Sequence, residues 1–169
     1  MSRSKTRAWA GARSAPRPVH RTRCTLCVAT VAALLCAPSF ATLGDSAASI
    51  PRDHAALHGT ALTRTPAGAF EVDDIVTSDG IQVRQYVSPS GTVFASTWSG
   101  RSLPDLKVLL GPHYYRYVAE VAAANSNSKA VSLNTGDLVV QIVKLPRGFT
   151  GSALLPALLP PGTSAGDLR

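Results

Sequence analysis

The sequence predicts that residues 49–169 form a small single α+β domain, in which an antiparallel sheet of about five or six strands packs against one or two helices. Between residues 60 and 98 the apolar residues recur with a period near two, and turn residues divide the stretch into short runs. Between residues 103 and 124 the apolar residues recur at helical spacing. This second pattern favours a helical region that covers one face of the sheet.

A basic and then apolar segment precedes the domain. Residues 1–41 hold 7 Lys and Arg and no acidic residue, followed by a 14-residue apolar core from Cys24 to Ala37 and a small-residue exit at Ala41. This three-part pattern predicts a cleavable signal peptide, with cleavage after Ala41. The apolar core is shorter than the about 20 residues of a membrane-spanning helix. We therefore expect a periplasmic or secreted protein with no permanent membrane anchor after cleavage; an uncleaved anchor is the alternative.

The charge and the cysteines belong to the same segment. The formal net charge is +7, and residues 1–41 supply all of it (7 − 0), because residues 42–169 hold 10 basic and 10 acidic residues (10 − 10 = 0). A nucleic-acid-binding domain would carry its cations on the folded part, so we expect no nucleic-acid partner. Cys24, Cys27 and Cys36 precede the domain, which excludes disulfides and thiolate metal sites after residue 41.

A short helix is predicted at the start of the domain. Residues 42–48 are small and polar and indicate a flexible lead-in. Ser49 is then a candidate N-cap, and Pro51 lacks the N–H donor that an early helical position leaves unpaired. The helix would run to about His58, with Gly59 as its left-handed stop.

The strands of the first half follow this helix. The turn at residues 88–91 predicts an antiparallel hairpin between its two flanking strands, because Pro and Gly favour turn geometry there. Asp73 and Asp74 break the alternation of their strand, which suggests a bulge or an exposed edge. The strands are expected at residues 60–65, 69–76, 81–87 and 92–98.

The second half begins with another predicted helix. Ser102 is the candidate cap, with Asp105 three residues further on, and Gly111 and Pro112 break or bend the helix. The remaining elements are a helix at residues 113–124, a loop at 125–128, two strands paired as a hairpin at 131–133 and 138–144, and a short apolar helix-like stretch around 154–159.

Aromatic side chains of the hairpin and of the predicted helix at residues 113–124 suggest a ligand groove. Tyr86 and Trp98 fall in the hairpin, Tyr114 falls in the helix, and Arg84 on the same strand as Tyr86 would place a cation at the rim. The alternative is that most of these rings belong to the core shared by sheet and helix, where large rings usually lie.

Two histidines are weak candidates for a metal site. His54 and His58 are four residues apart and would share one side of a helix. A catalytic zinc usually needs a third protein ligand, and His113 is distant in sequence. We therefore expect no metal site and no cofactor, and a solvated helix face instead.

A hydrolase is the catalytic alternative. The domain has many serines, among them Ser88, Ser90, Ser96 and Ser99, but none lies in a Gly-x-Ser-x-Gly motif. Such an enzyme would pair a serine with His54, His58 or His113.

The stretch from Arg84 to Phe94, followed by Trp98 to Gly100 and by Pro104 to Gly111, resembles the central signature of domain-of-unknown-function family 2844. The resemblance extends less sharply over most of the chain after residue 41. It implies a single periplasmic or secreted domain of a Gram-negative bacterium, directly after a signal peptide, and it supplies no catalytic residue.

The leading hypothesis is a non-catalytic binding or structural module of the cell envelope, whose partner is an envelope protein or a small ligand. The alternative is an envelope hydrolase with a Ser/His pair, and the oligomeric state stays open.

Overall fold

The computed structural model describes residues 43–123 and 130–168. The predicted signal peptide at residues 1–41, its cleavage after Ala41 and the predicted loop at 125–128 lie outside the described residues. The described part is a small α+β domain built on one antiparallel sheet, as the sequence predicts, with short helices. None of the described helices has the length and apolar character needed to cross a membrane.

The sheet has seven strands, so the expected five or six was too low. Its spatial order is β1-β2-β3-β4-β7-β6-β5, and every neighbouring pair is antiparallel. The strands β1 to β4 form a meander, which includes the predicted hairpin between β3 and β4. The bounds are β1 (Gly59–Pro66), β2 (Glu71–Thr77), β3 (Gln82–Val87), β4 (Val93–Gly100), β5 (Ala130–Asn134), β6 (Val139–Leu145) and β7 (Gly148–Leu154).

The strand β7 is the one that the sequence pattern does not reveal. It lies between β4 and β6 and joins the meander to the β5–β6 hairpin. Its residues are mostly small, and Gly151 has to be small, because a Cβ at that position would lie 2.6 Å from the ring of Trp98. The apolar stretch expected to be helical is instead the end of β7 followed by a single 3-10 turn at Pro156–Leu158.

The adjacent aspartates of β2 lie in an interior strand with a regular register, not at a bulge or an edge. Each carboxylate pairs with an arginine of a neighbouring strand. Arg64 of β1 donates from both Nε and Nη2 to the carboxylate of Asp73 at 2.8 Å, and Arg84 of β3 donates from Nε to Asp74 at 2.7 Å. Cross-strand ion pairs on opposite sides of the sheet therefore account for the break in alternation.

The helix α1 spans Ile50–Ala56. Ser49 precedes it but makes no side-chain cap, because its hydroxyl donates to a carbonyl one turn earlier. The left-handed residue is His58, with φ of 53°, rather than Gly59. Gly59 is needed for space instead, since a Cβ there would lie 2.2 Å from Cδ2 of His54.

The helix α2 spans Leu106–Leu110 and is capped by Asp105 rather than by Ser102. The carboxylate of Asp105 accepts the backbone N–H groups of Lys107 at 2.8 Å and Val108 at 3.4 Å. Negative charge and hydrogen-bond acceptors thus meet the free donors of the first helical turn.

The helix α3 spans Tyr114–Ala123 and is separated from α2 by a 3-10 turn at Gly111–His113. No residue of α3 is fully buried, but Tyr114 and Tyr117 pack against the core. Partial burial raises the pKa of the Tyr117 phenol, since the charged form loses solvation.

The main core lies between the three helices and one face of the sheet, which we call the helix face. Residues 43–48 also contribute to it, in contrast to the expected flexible lead-in. Leu43 is buried and donates its N–H to the carbonyl of Leu109 at 3.1 Å, and Gly44 donates to Val93 at 2.8 Å. The principal sheet residues on the helix face are Ile75, Val83, Trp98, Val140, Ile142 and Ala153.

Candidate ligand groove on the open sheet face

The opposite side of the sheet, which we call the open face, carries a row of polar side chains that crosses all seven strands. The pairing registers place these residues side by side, one from each strand, at a spacing of about 4.8 Å between strands. We call this set the polar row. In spatial order it consists of Thr63, Asp74, Arg84, Thr97, Ser152, Gln141 and Ser132.

The C-terminal segment covers one end of the open face. Leu159 and Leu168 pack on a second apolar cluster formed around Tyr86, Phe94 and Leu154. Three rings reinforce this cluster: Phe70 lies 5.7 Å from Tyr86 and 5.8 Å from Phe94, centroid to centroid, in edge-to-face geometry. The C-terminal segment and this apolar cluster thus cover one end of the open face. The polar row lies next to the covered area.

A groove of about 340 Å³ lies beside the covered end. Its polar lining comes from β3, β4, β7 and β6, and Leu168 of the C-terminal segment forms part of its rim. A volume of this size fits a small ligand or part of an extended one. The residues of the open face that line it are Gln82, Arg84, Thr97, Ser99, Gln141, Val143, Thr150 and Ser152, and Trp98 and Gly151 also border it.

Arg84 is held in place by its neighbours on the polar row. Its Nε donates to Asp74, and the phenol of Tyr86 lies 3.3 Å from the hydroxyl of Thr97 on the next strand. The hydrogen bond and the negative charge of Asp74, with a smaller contribution from Tyr86, raise the pKa of the Arg84 guanidinium above its ordinary value. The cation therefore lies in the groove wall next to a carboxylate of opposite charge, and both side chains of the pair are partly exposed.

The four residues suggested from the sequence for a ligand groove lie in two places. Arg84 and Tyr86 are on the open face, with Arg84 lining the groove and Tyr86 buried next to it. The rings of Trp98 and Tyr114 belong to the core on the helix face, where Trp98 packs over Gly151. The two rings therefore lie on the other side of the sheet from Arg84 and Tyr86, although Trp98 is, with Arg84, among the residues that border the groove.

The two histidines considered as metal candidates do not share a helical side, because α1 ends before His58. His54 is half-buried against Gly59, whereas His58 is exposed in a left-handed conformation. Among the described residues no group of three or more His, Cys, Asp or Glu side chains is arranged to hold a metal ion.

The serines of the hydrolase alternative are dispersed. Ser96 is fully buried on the helix face, and the hydroxyls of Ser88 and Ser90 lie 2.7 Å apart in the β3–β4 turn. Ser99 is exposed and lines the groove.

Most of the groove was not apparent from the sequence. Gln82 and Thr97 lie in predicted strands and Ser99 directly follows the predicted end of one, so alternation along these strands was the available signal for an exposed polar face. Thr150 and Ser152 could not be added, because β7 was not recognised as a strand. Without β7 the second hairpin has no position beside β4, and Gln141 cannot be placed near Thr97.

The fold and the groove define an α+β protein with a single antiparallel sheet, one face covered by helices and the other partly open and polar. A family model described as "Protein of unknown function (DUF2844)" matches residues 39–168, and the chain belongs to this family. The match covers β1 to β7 and confirms the resemblance found in the sequence. Comparisons with curated proteins and with solved structures find no significant match.

Proposed function

We propose that this protein is an exported, non-catalytic module of the cell envelope that binds an envelope ligand in the groove of its open sheet face. One observation carries the proposal. Four residues of the polar row, Arg84, Thr97, Ser152 and Gln141, line a groove at the centre of the sheet, whereas the apolar end of the same face is covered by the chain's own C-terminal segment.

The lining of the groove favours binding over hydrolysis. Its described side chains are hydroxyls, carboxamides, one arginine and apolar groups, and none of the described histidines lies among them. A serine of the groove would therefore have no imidazole beside it to accept its proton. If the protein were a hydrolase, it would turn over envelope material, and this activity would be lost when His54, His58 and His113 are all replaced by Ala. If it binds a ligand in the groove, the three replacements should leave binding unchanged.

The export part of the proposal rests on the composition of residues 1–41. Expression of the full chain in a Gram-negative host, followed by mass spectrometry of the periplasmic fraction and the medium, tests it. We expect a product that begins at Thr42. A product that retains residues 1–41 in the membrane fraction would contradict cleavage after Ala41.

The binding part is tested by filling the groove. Ser152 lies in the part of the polar row that lines the groove, half-buried between Thr97 and Gln141, so Ser152→Arg places a long charged side chain in the groove. The matched control is Ser132→Arg, which makes the same change at an exposed position of the same row, outside the groove. The probes are peptidoglycan sacculi and outer-membrane vesicles, and the readout is co-sedimentation of the purified mature protein.

We expect the wild type and Ser132→Arg to co-sediment with one of the two probes and Ser152→Arg to remain in the supernatant. Thermal melting of the three proteins separates loss of binding from loss of folding. Binding that survives in a folded Ser152→Arg protein, or no binding of the wild type to either probe, would overturn the proposal.

A further inference from the structure

The groove has no positive charge in excess. Arg84 is the charged residue among its described lining side chains, and the carboxylate of Asp74, outside that lining, pairs with it at 2.7 Å. Asp167 lies with these two residues in the adjoining pocket. An anionic ligand would have to compete with carboxylates for Arg84, so the electrostatics of the groove favour a neutral ligand over an anionic one.

The polar groups of the groove are of one chemical kind. The hydroxyls of Thr97, Ser99, Thr150 and Ser152 and the carboxamides of Gln82 and Gln141 each offer both a donor and an acceptor. A ligand that matches them needs groups that can also donate and accept. Hydroxyl groups in series meet this requirement, and fatty acyl chains do not.

The spacing and the rim of the groove fit a chain of sugar rings. Polar side chains from adjacent strands repeat at about 4.8 Å, which is the length scale of one ring in a polysaccharide. Val143, 40% exposed, and Leu168 add apolar surface beside the polar groups. Sugar rings present C–H surface next to their hydroxyls and can contact both kinds of side chain at once.

A peptide is less well matched to this site. Extended peptides bind mainly through backbone hydrogen bonds at the edge of a sheet. The groove lies over the face of the interior strands β3, β4, β7 and β6, whose backbone groups are paired with one another.

From these features we infer that the groove binds a neutral, hydroxyl-rich saccharide chain lying along the polar row between Arg84 and Gln141. This inference rests on the proposed function and specifies the class of its ligand. Ser152 and Gln141 donate to and accept from ring hydroxyls, Val143 and Leu168 contact C–H groups, and the Asp74–Arg84 pair closes one end of the site.

The test uses the mature chain and isothermal titration with soluble probes. The neutral probes are malto-, cello- and chito-oligosaccharides; a sulfated oligosaccharide and an uncharged Ser/Gly/Ala peptide represent the competing ligand classes. Ser152→Ala and Gln141→Ala each remove one hydrogen-bonding group and should weaken binding of the neutral sugar by about 2- to 12-fold. Ser132→Ala is the matched control on the same row outside the groove, and its affinity should equal that of the wild type.

Binding of a neutral oligosaccharide that is unchanged by added salt and weakened in the two groove variants supports the inference. Preferential binding of the sulfated sugar or of the peptide overturns it. If Ser152→Arg abolishes binding to sacculi or vesicles while no neutral oligosaccharide binds, the proposed function stands and the inference falls. If neither the envelope probes nor the sugars bind, both fall.

Discussion

The two faces of the sheet each carry polar side chains at adjacent positions of the same strands, and the two sets differ in how far solvent reaches them. On the helix face the registers align Arg64, Asp73, Gln85 and Ser96 across β1 to β4. Of these, Asp73, Gln85 and Ser96 are at most 1% exposed. The polar row of the open face is reached by solvent along much of its length. One set of polar side chains is therefore part of the interior, while the other remains available to a ligand.

The buried polar side chains of the helix face position the helix α1. The amide of Gln85 donates from Nε2 to the carboxylate of Asp53 at 2.8 Å, and Asp53 lies on α1 with no exposed surface. Asp73 receives both hydrogen bonds from Arg64. Burying such groups is costly without partners, so these contacts constrain α1 to one location over β3. None of the described α-helices packs on the open face in this way, and the polar groups of the groove stay partly exposed.

The largest effect is expected where the helix face is most tightly packed. Trp98→Ala removes a ring that is 2% exposed, and it should destabilise the fold by about 3–5 kcal/mol. Chemical denaturation of the mature chain measures this change. Tyr115→Ala is the control, because Tyr115 is 68% exposed and should change the free energy of unfolding by less than about 0.5 kcal/mol. Similar values for the two variants would show that Trp98 is not a core residue.

The next effect compares the two faces at neighbouring residues of one strand. Gly151→Ala places a Cβ 2.6 Å from the Trp98 ring on the helix face, and this overpacking should cost about 1–3 kcal/mol. Ser152→Ala changes the adjacent residue on the open face and should stay within about 0.5 kcal/mol. Urea denaturation of both variants checks the contrast. Equal destabilisation of the two would mean that both faces are packed alike.

The sequence was informative where elements have regular patterns and local signals. The alternation in β1 to β4 and the turn at Gly91 were sufficient for the meander, and the helical spacing near Tyr114 was sufficient for α3. The strand β7 has neither signal, because tight contact with Trp98 and with the backbone of Gly100 requires glycine at residues 151 and 148. The glycines of β7 are required by contacts with residues distant in the chain, so the local sequence does not indicate a strand.

The groove was harder to predict than the fold for the same reason. A candidate list based on aromatic residues joined Arg84 and Tyr86 to Trp98, although Trp98 and Arg84 have opposite parity in paired strands and so point to opposite faces. Counting alternate positions along the two paired strands would have placed the side chains of Trp98 and Arg84 on opposite faces. The contribution of Thr150 and Ser152 required the pairing of β4 with β7, residues more than fifty positions apart in the chain, which a single sequence does not reveal.

The smallest effect concerns an exposed contact that links the helical layer to the sheet. Asp137, in the turn between β5 and β6, accepts hydrogen bonds from the Thr135 hydroxyl and from Arg116 of α3, and these lower the pKa of its carboxyl group. Because the folded pKa lies below the unfolded value of about 3.9, the stabilisation is present above that pH and is lost as the pH falls through the folded pKa. Asp137→Asn should therefore reduce stability slightly at about pH 7, and the difference between the two proteins should shrink as the pH falls through the folded pKa. Urea midpoints of both proteins over a series of pH values from neutral to acid, at low and high salt, measure this. A difference that persists unchanged in acid would show that the contact acts through the turn geometry rather than through charge.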